Sequence, residues 1–144
     1  MAKQQTILKS VSLKGIGIHS GNEVNLTFKP AEDNFGYAFC RIDMPDKPII
    51  EADINYVVNT KRGTTLEKNG INIQTSEHVL AALVGLEIDN VLIELDAAEP
   101  PIMDGSSKYF VEALIKAGVK EQSEDRVEYI VKDVISYYDE DSGS

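Results

Sequence analysis

Val24, Leu26 and Phe28 alternate with Asn25, Thr27 and Lys29, the period of two that a half-buried strand requires. Upstream, Ile16 and Ile18 alternate with Gly15 and Gly17. His19-Ser20-Gly21-Asn22 joins the two runs as the tip of a hairpin. A third strand is expected from Tyr37 to Ile42, ending near Pro45, and one or two short ones between Ile49 and Val58. Thr64-Thr65-Leu66 and Ile71-Asn72-Ile73 flank Lys68-Asn69-Gly70 and predict a second hairpin. The period then lengthens. From Ser76 onward Val79, Leu80, Leu83 and Leu86 fall at helical spacing, with Gly85 near the end. Val91 to Leu95 returns to strand, and Pro100 and Pro101 enforce an extended segment. A second helix follows Asp104-Gly105-Ser106, with Phe110, Ala113, Leu114 and Ala117 on one face and Gly118 as its stop.

The polar stretch from Lys120 to Arg126 reads as a linker. Beyond it Val127, Tyr129 and Val131 alternate again, a strand-like run continuing towards Tyr138. These elements predict an α+β fold, a two-layer sandwich of a mostly antiparallel sheet with two main helices on one face. An alternating apolar run after a linker usually opens a new unit. The expected division is therefore one domain over 1–125 and the start of a second over 126–144.

Composition narrows the function classes. The 144 residues are 42% hydrophobic and 26% charged, which is globular and allows a sizeable core. Acidic residues outnumber basic ones 24 to 14, and no basic stripe is present. This argues against nucleic acid or an anionic membrane surface as partner. Cys40 is the one cysteine, which excludes an internal disulfide framework or a cysteine-rich zinc module. No apolar run approaches the ~20 residues of a membrane span. The polar N-terminus lacks the apolar core of a secretory signal, so the expected compartment is the cytoplasm.

Thr75-Ser76-Glu77-His78 sets a carboxylate beside an imidazole in the first turn of the first helix. The positive end of a helix dipole favours a neutral imidazole, the form that binds a metal. Glu77, about 100° round the helix, could approach a metal-bound water without ligating the metal. Zinc with a nearby carboxylate is the minimal apparatus for hydrolysing an amide. The plainer reading makes Ser76 a helix cap and Glu77 an ordinary acidic first-turn residue. His19 is either a turn residue or a site residue, and Asp104 either functional or part of a turn with a helix cap. Gly15, Gly17 and Gly21 do not form a dinucleotide fingerprint, because the spacing is wrong and a strand follows.

Four blocks together are more specific. Gly15-Ile16-Gly17-Ile18-His19-Ser20-Gly21, Thr75-Ser76-Glu77-His78-Val79-Leu80-Ala81-Ala82-Leu83, Gly85-Leu86-Glu87-Ile88-Asp89-Asn90-Val91 and Pro101-Ile102-Met103-Asp104-Gly105-Ser106 occur in this order. In order and spacing they resemble the UDP-3-O-acyl-N-acetylglucosamine deacetylase (LpxC) family of lipid A biosynthesis in Gram-negative bacteria. The resemblance implies two similar α+β domains packed face to face with the active site between them. This chain would hold the first domain and the opening strand of the second. It implies removal of the N-acetyl group from UDP-3-O-acyl-N-acetylglucosamine. By carry-over His78 is a Zn2+ ligand, Glu77 is the general base and His19 lies near the substrate cleft.

The remaining machinery of the family is expected from the missing second domain. It comprises a His-Lys-x-x-x-Asp stretch with two further zinc ligands, a histidine general acid, a threonine and a lysine for the oxyanion, and the acyl passage. No histidine follows His78, so the isolated chain is expected to be inactive. In some bacteria the family's enzyme is fused to a 3-hydroxyacyl carrier-protein dehydratase, and the sequence leaves both arrangements open. The alternative from another class is a non-catalytic binding or assembly module with Glu77-His78 as helix punctuation.

Overall fold

The structure, a computed structural model, describes residues 2–144. Ten strands and two helices follow in the order β1 (Lys3–Ile7), β2 (Val11–Ile16), β3 (Glu23–Pro30), β4 (Tyr37–Arg41), β5 (Ile49–Glu51), β6 (Val57–Asn59), β7 (Thr65–Lys68), β8 (Ile71–Ile73), α1 (Glu77–Gly85), β9 (Val91–Leu95), α2 (Lys108–Ala117) and β10 (Val119–Asp125). A 3-10 turn, Ile54–Tyr56, separates β5 from β6. The central sheet runs β2-β3-β9-β4-β5, antiparallel except where β4 lies parallel to β9. Strands β6, β7 and β8 form an antiparallel meander, and β1 pairs with β10 in a two-stranded ribbon. The α+β class, the mostly antiparallel sheets and the two helices agree with the sequence reading.

The alternation in β3 does what its period demands. Val24, Leu26 and Phe28 are fully buried while Glu23 and Asn25 face outward. They join Phe39, Ile50, Ile93 and Leu95 from neighbouring strands, and Val79, Leu83, Phe110 and Leu114 from the helices, in one core. Phe28 meets Phe110 edge to face, ring centres 6.4 Å apart, an arrangement the ring quadrupoles favour. Gly118 at φ 77° ends α2, and Leu8 N donates to its carbonyl at 2.9 Å.

Two expectations are corrected. The stretch from Lys120 to Arg126 is not a linker, because most of it is β10, in register with β1 from Lys3↔Asp125 to Ile7↔Val119. Almost every β10 side chain is exposed, so no apolar alternation betrays the strand. Its half-buried residue, Gln122, donates to Ala31 O and accepts from Asn90 instead. Conversely, the run from Val127 towards Tyr138 forms no strand here. Alternation prepares a strand but only a partner makes one, and among the described residues this run pairs with no strand.

Candidate active site

The chain leaves β8, and at Thr75 it turns into α1 with φ 51°. A β-branched residue rarely takes that backbone conformation, which costs energy and needs external support. The support is visible. Thr75 Oγ1 donates to Glu99 Oε1 at 3.0 Å, while Ser76 N and Oγ both donate to Thr64 O at 3.1 Å. Ser76 is fully buried, already helical at φ −79°, ψ −16°, and makes no cap hydrogen bond with its side chain. Ser76 thus holds the cap position that the plainer reading gave it, but its side chain does not cap the helix. Its hydroxyl ties the helix start to the Thr64 loop instead of to α1.

That anchoring presents Glu77 and His78 at the surface, with side chains 38% and 32% exposed. Glu77 Oε2 accepts from Thr64 N at 2.9 Å, and Oε1 lies 3.8 Å from His78 Nε2. Neighbouring helical residues diverge, yet here the two side chains curl back towards each other. Gly63 stands close by, where an added Cβ would lie 3.3 Å from Glu77 Oε1 and from Thr75 Oγ1.

His19 comes to the same region from the β2–β3 hairpin. Its Nε2 is 3.2 Å from Arg62 O, and its backbone N donates to both oxygens of Glu99 at 3.2 Å. A cavity of about 410 Å³ opens between His19, Lys61, Arg62, Gly63, Gln74 and Thr75. Glu77 and His78 are not in its wall, though Gly63 and Thr75 are. Asp104 lies apart from this cavity and makes a turn, its Oδ1 accepting from Ser106 N at 3.0 Å and Ser106 Oγ at 2.7 Å. Ser107, at the cap position of α2, donates its hydroxyl to His78 O at 2.8 Å and so ties the two helices together.

Glu99 is the residue that the sequence reading missed. It is 1% exposed, and its carboxylate accepts from His19 N, Ser20 N at 2.9 Å and Thr75 Oγ1. Burial pushes its carboxyl up, but the amides of Ser20 and His19 and the hydroxyls of Thr75 and Ser20 outweigh that and hold it below the usual carboxylate range. The one local signal is an acidic residue directly before Pro100-Pro101. Its partners lie 80 and 24 positions away in the chain.

Tested against a zinc ion, the donor set fits one position and no more. The His78 imidazole is partly open with Glu77 beside it. Among the described residues no group of three or more His, Cys, Asp or Glu side chains could hold a metal, whereas a catalytic zinc takes about three protein ligands. A single imidazole can be a share of such a site.

The family model described as UDP-3-O-acyl N-acetylglycosamine deacetylase matches residues 4–143. The chain is 48% identical over 135 residues to a bifunctional enzyme LpxC/FabZ of Chlorobaculum tepidum, covering 94% of the chain and 29% of the relative. It is 46% identical over 144 residues to the enzyme of that name from Bacteroides thetaiotaomicron, covering 100% of the chain and 31% of the relative. Against a UDP-3-O-acyl-N-acetylglucosamine deacetylase of Psychrobacter it is 47% identical over 121 residues, covering 84% and 41%. The chain thus spans less than half the length of these curated relatives.

Proposed function

This chain belongs to the UDP-3-O-acyl-N-acetylglucosamine deacetylase family, and on that premise we propose that it is the N-terminal portion of a zinc-dependent hydrolase acting in lipid A biosynthesis. The substrate of the whole enzyme is UDP-3-O-acyl-N-acetylglucosamine, and the product pair is acetate and the free amine. The compartment proposed is the cytoplasm. No helix of the described residues is long and apolar enough to cross a membrane.

The observation that carries this reading is the pairing at the start of α1. One Glu77 oxygen is tied to Thr64 N, and the other is turned towards the His78 imidazole at 3.8 Å. A general base must be held at a fixed place with one oxygen free to receive a proton. Thr64 provides the first condition and leaves Oε1 for the second. His78 would supply one ligand for the zinc, and the others would come from a second domain. When bound, the ion would polarise the acetamide carbonyl as a Lewis acid. Glu77 takes the proton of the attacking water, and the departing nitrogen would be protonated by the histidine general acid expected from the second domain. His19, held from behind by Glu99, faces the polar cavity where a sugar hydroxyl or acetamide group would lie.

Joining the chain to the C-terminal part of a relative and measuring acetate release tests this. The joined protein should turn over, the 144-residue chain alone should not, and Glu77→Ala in the joined protein should reduce turnover at least about hundredfold. Unchanged turnover in that variant removes Glu77 from the mechanism. Titration of the chain alone with zinc should give weak binding, since one protein ligand leaves the ion mostly hydrated. Sub-micromolar stoichiometric binding together with deacetylation would refute the division of the site between two domains.

A further inference from the structure

The hydrogen bonds around the polar cavity close into a ring that passes through Glu99. Its carboxylate takes the backbone N–H of His19 and of Ser20, and His19 reaches across to Arg62 O with its ring. Two residues on from Arg62, Thr64 N holds Glu77. Two residues before Glu77, the Thr75 hydroxyl returns to Glu99. Each of the two catalytic segments is thus fixed to the other twice, once through the Arg62–Thr64 loop and once through Glu99.

Three features set this carboxylate apart from ordinary buried polar groups. It is almost fully buried, yet among the described residues no cationic side chain pairs with it, and its hydrogen bonds come from N–H and O–H donors alone. Such a charge is tolerated in a protein interior only when its donors are fixed in advance. The loop above it is moulded to it, since a Cβ at Gly17 would overlap Glu99 Oε2 and Ser20 Oγ. One of its donors is Thr75, the strained residue immediately before the Ser76-Glu77-His78 turn.

We infer that Glu99 is a positioning residue, whose buried carboxylate holds the His19 loop and, through Thr75, the first turn of α1 in one fixed relation. This rests on the reading of Glu77 and His19 as working residues. An amide in place of the carboxylate presents one acceptor oxygen and a donor, so it cannot receive His19 N, Ser20 N and Thr75 Oγ1 together. Glu99→Gln keeps the shape and removes that capacity.

The chain has two histidines, so their ring signals in a carbon-edited NMR spectrum report the two segments separately. In the 144-residue chain, Glu99→Gln should move the His19 ring signal and the His19 and Ser20 amide signals, and speed His19 amide exchange about tenfold or more. Signals of Phe28 and Phe110 should stay in place. Should Glu99→Gln not fold, Thr75→Val removes a single donor and should move the His19 amide signal through the loosened carboxylate. Unmoved His19 and Ser20 amides in a folded variant overturn the inference. In the protein joined to its C-terminal part, Glu99→Gln should lower kcat roughly a hundredfold with KM changed by less than about threefold, as misplacement without lost contact does. Glu77→Gln is run beside it. If Glu77→Gln keeps its turnover, the functional reading falls and this inference with it. If Glu77→Gln is dead while Glu99→Gln stays within about twofold of the parent kcat, the inference alone is wrong.

Discussion

A Cβ at Gly17 would meet Glu99 Oε2 and Ser20 Oγ, while one at Gly21, four residues on in the same hairpin tip, would meet nothing within 4 Å. The two glycines are therefore required for different reasons. Gly17→Ala should cost about 1–3 kcal/mol through overpacking and lift the loop from Glu99. Gly21→Ala, at φ 69°, should cost about 1 kcal/mol from backbone conformation alone and leave the His19 amide protected. Urea denaturation with amide exchange on both variants separates the two, and equal exchange at His19 would count against the moulded loop. The Glu99 charge also makes a pH prediction. Its folded value lies below the ordinary 4.5 of the unfolded chain, so near that pH the folded state binds fewer protons. The stabilisation is complete above the unfolded value and is lost as pH falls through the folded one. The stability gap between the parent and Glu99→Gln should accordingly narrow as the pH falls below the ordinary 4.5. A constant gap below that pH would show that the charge itself contributes nothing.

Among the elements, those whose evidence is local were legible in the sequence. The hairpin β2–β3 announces itself by alternation around a glycine-containing tip, and α1 and α2 by helical spacing ending at Gly85 and before Gly118. Glu77, His78 and His19 were legible because they sit inside recognisable blocks. Glu99 was not, since its hydrogen bonds form only once β2–β3 and the turn before α1 have folded onto the segment after β9. β10 was hidden for a related reason. Its strand character comes from pairing with β1, over a hundred positions away, and from polar contacts that leave no hydrophobic period. Those contacts continue just past its end. Arg126 Nε and Nη2 grip Asp89 Oδ1 and Oδ2 at 2.9 Å, Nη2 also donates to Glu87 O, and Arg126 N donates to Ala2 O at 2.8 Å. The bidentate geometry and partial burial make this pair worth more than an ordinary surface ion pair. Arg126→Ala should cost about 1.5–3 kcal/mol and speed amide exchange along β1 and β10 before it reaches β3 or β9. A loss spread evenly over the central sheet would mean that the ribbon does not open on its own.

At the scale of the whole molecule, apolar surface is distributed very unevenly. The core draws on both helices, the central sheet, the meander and Ile7 of the ribbon, and no residue beyond Ala117 belongs to it. Past Arg126, Val127, Tyr129, Ile130, Val134, Ile135 and Tyr137 are each more than 70% exposed. On the helices Val84 and Ile115 are also open, at 64% and 61%. Hydrophobic side chains in contact with water contribute nothing to the folded state of this chain, yet they favour association with any apolar surface that becomes available. Stability and self-association should therefore separate when the chain is shortened to end at Arg126. The ribbon, the Arg126 latch and the core all remain, so the urea midpoint should correspond to a change of no more than about 0.5 kcal/mol. Concentration-dependent light scattering and binding of a hydrophobic dye should both fall. By contrast Leu83→Ala in the 144-residue chain, which empties a fully buried site on the inner face of α1, should cost about 2–5 kcal/mol and leave the association propensity of the folded protein unchanged. If the shortened chain instead lost stability on the scale of Leu83→Ala, residues 127–144 would have to pack on the body of the protein in solution, and the exposure described for them would be wrong.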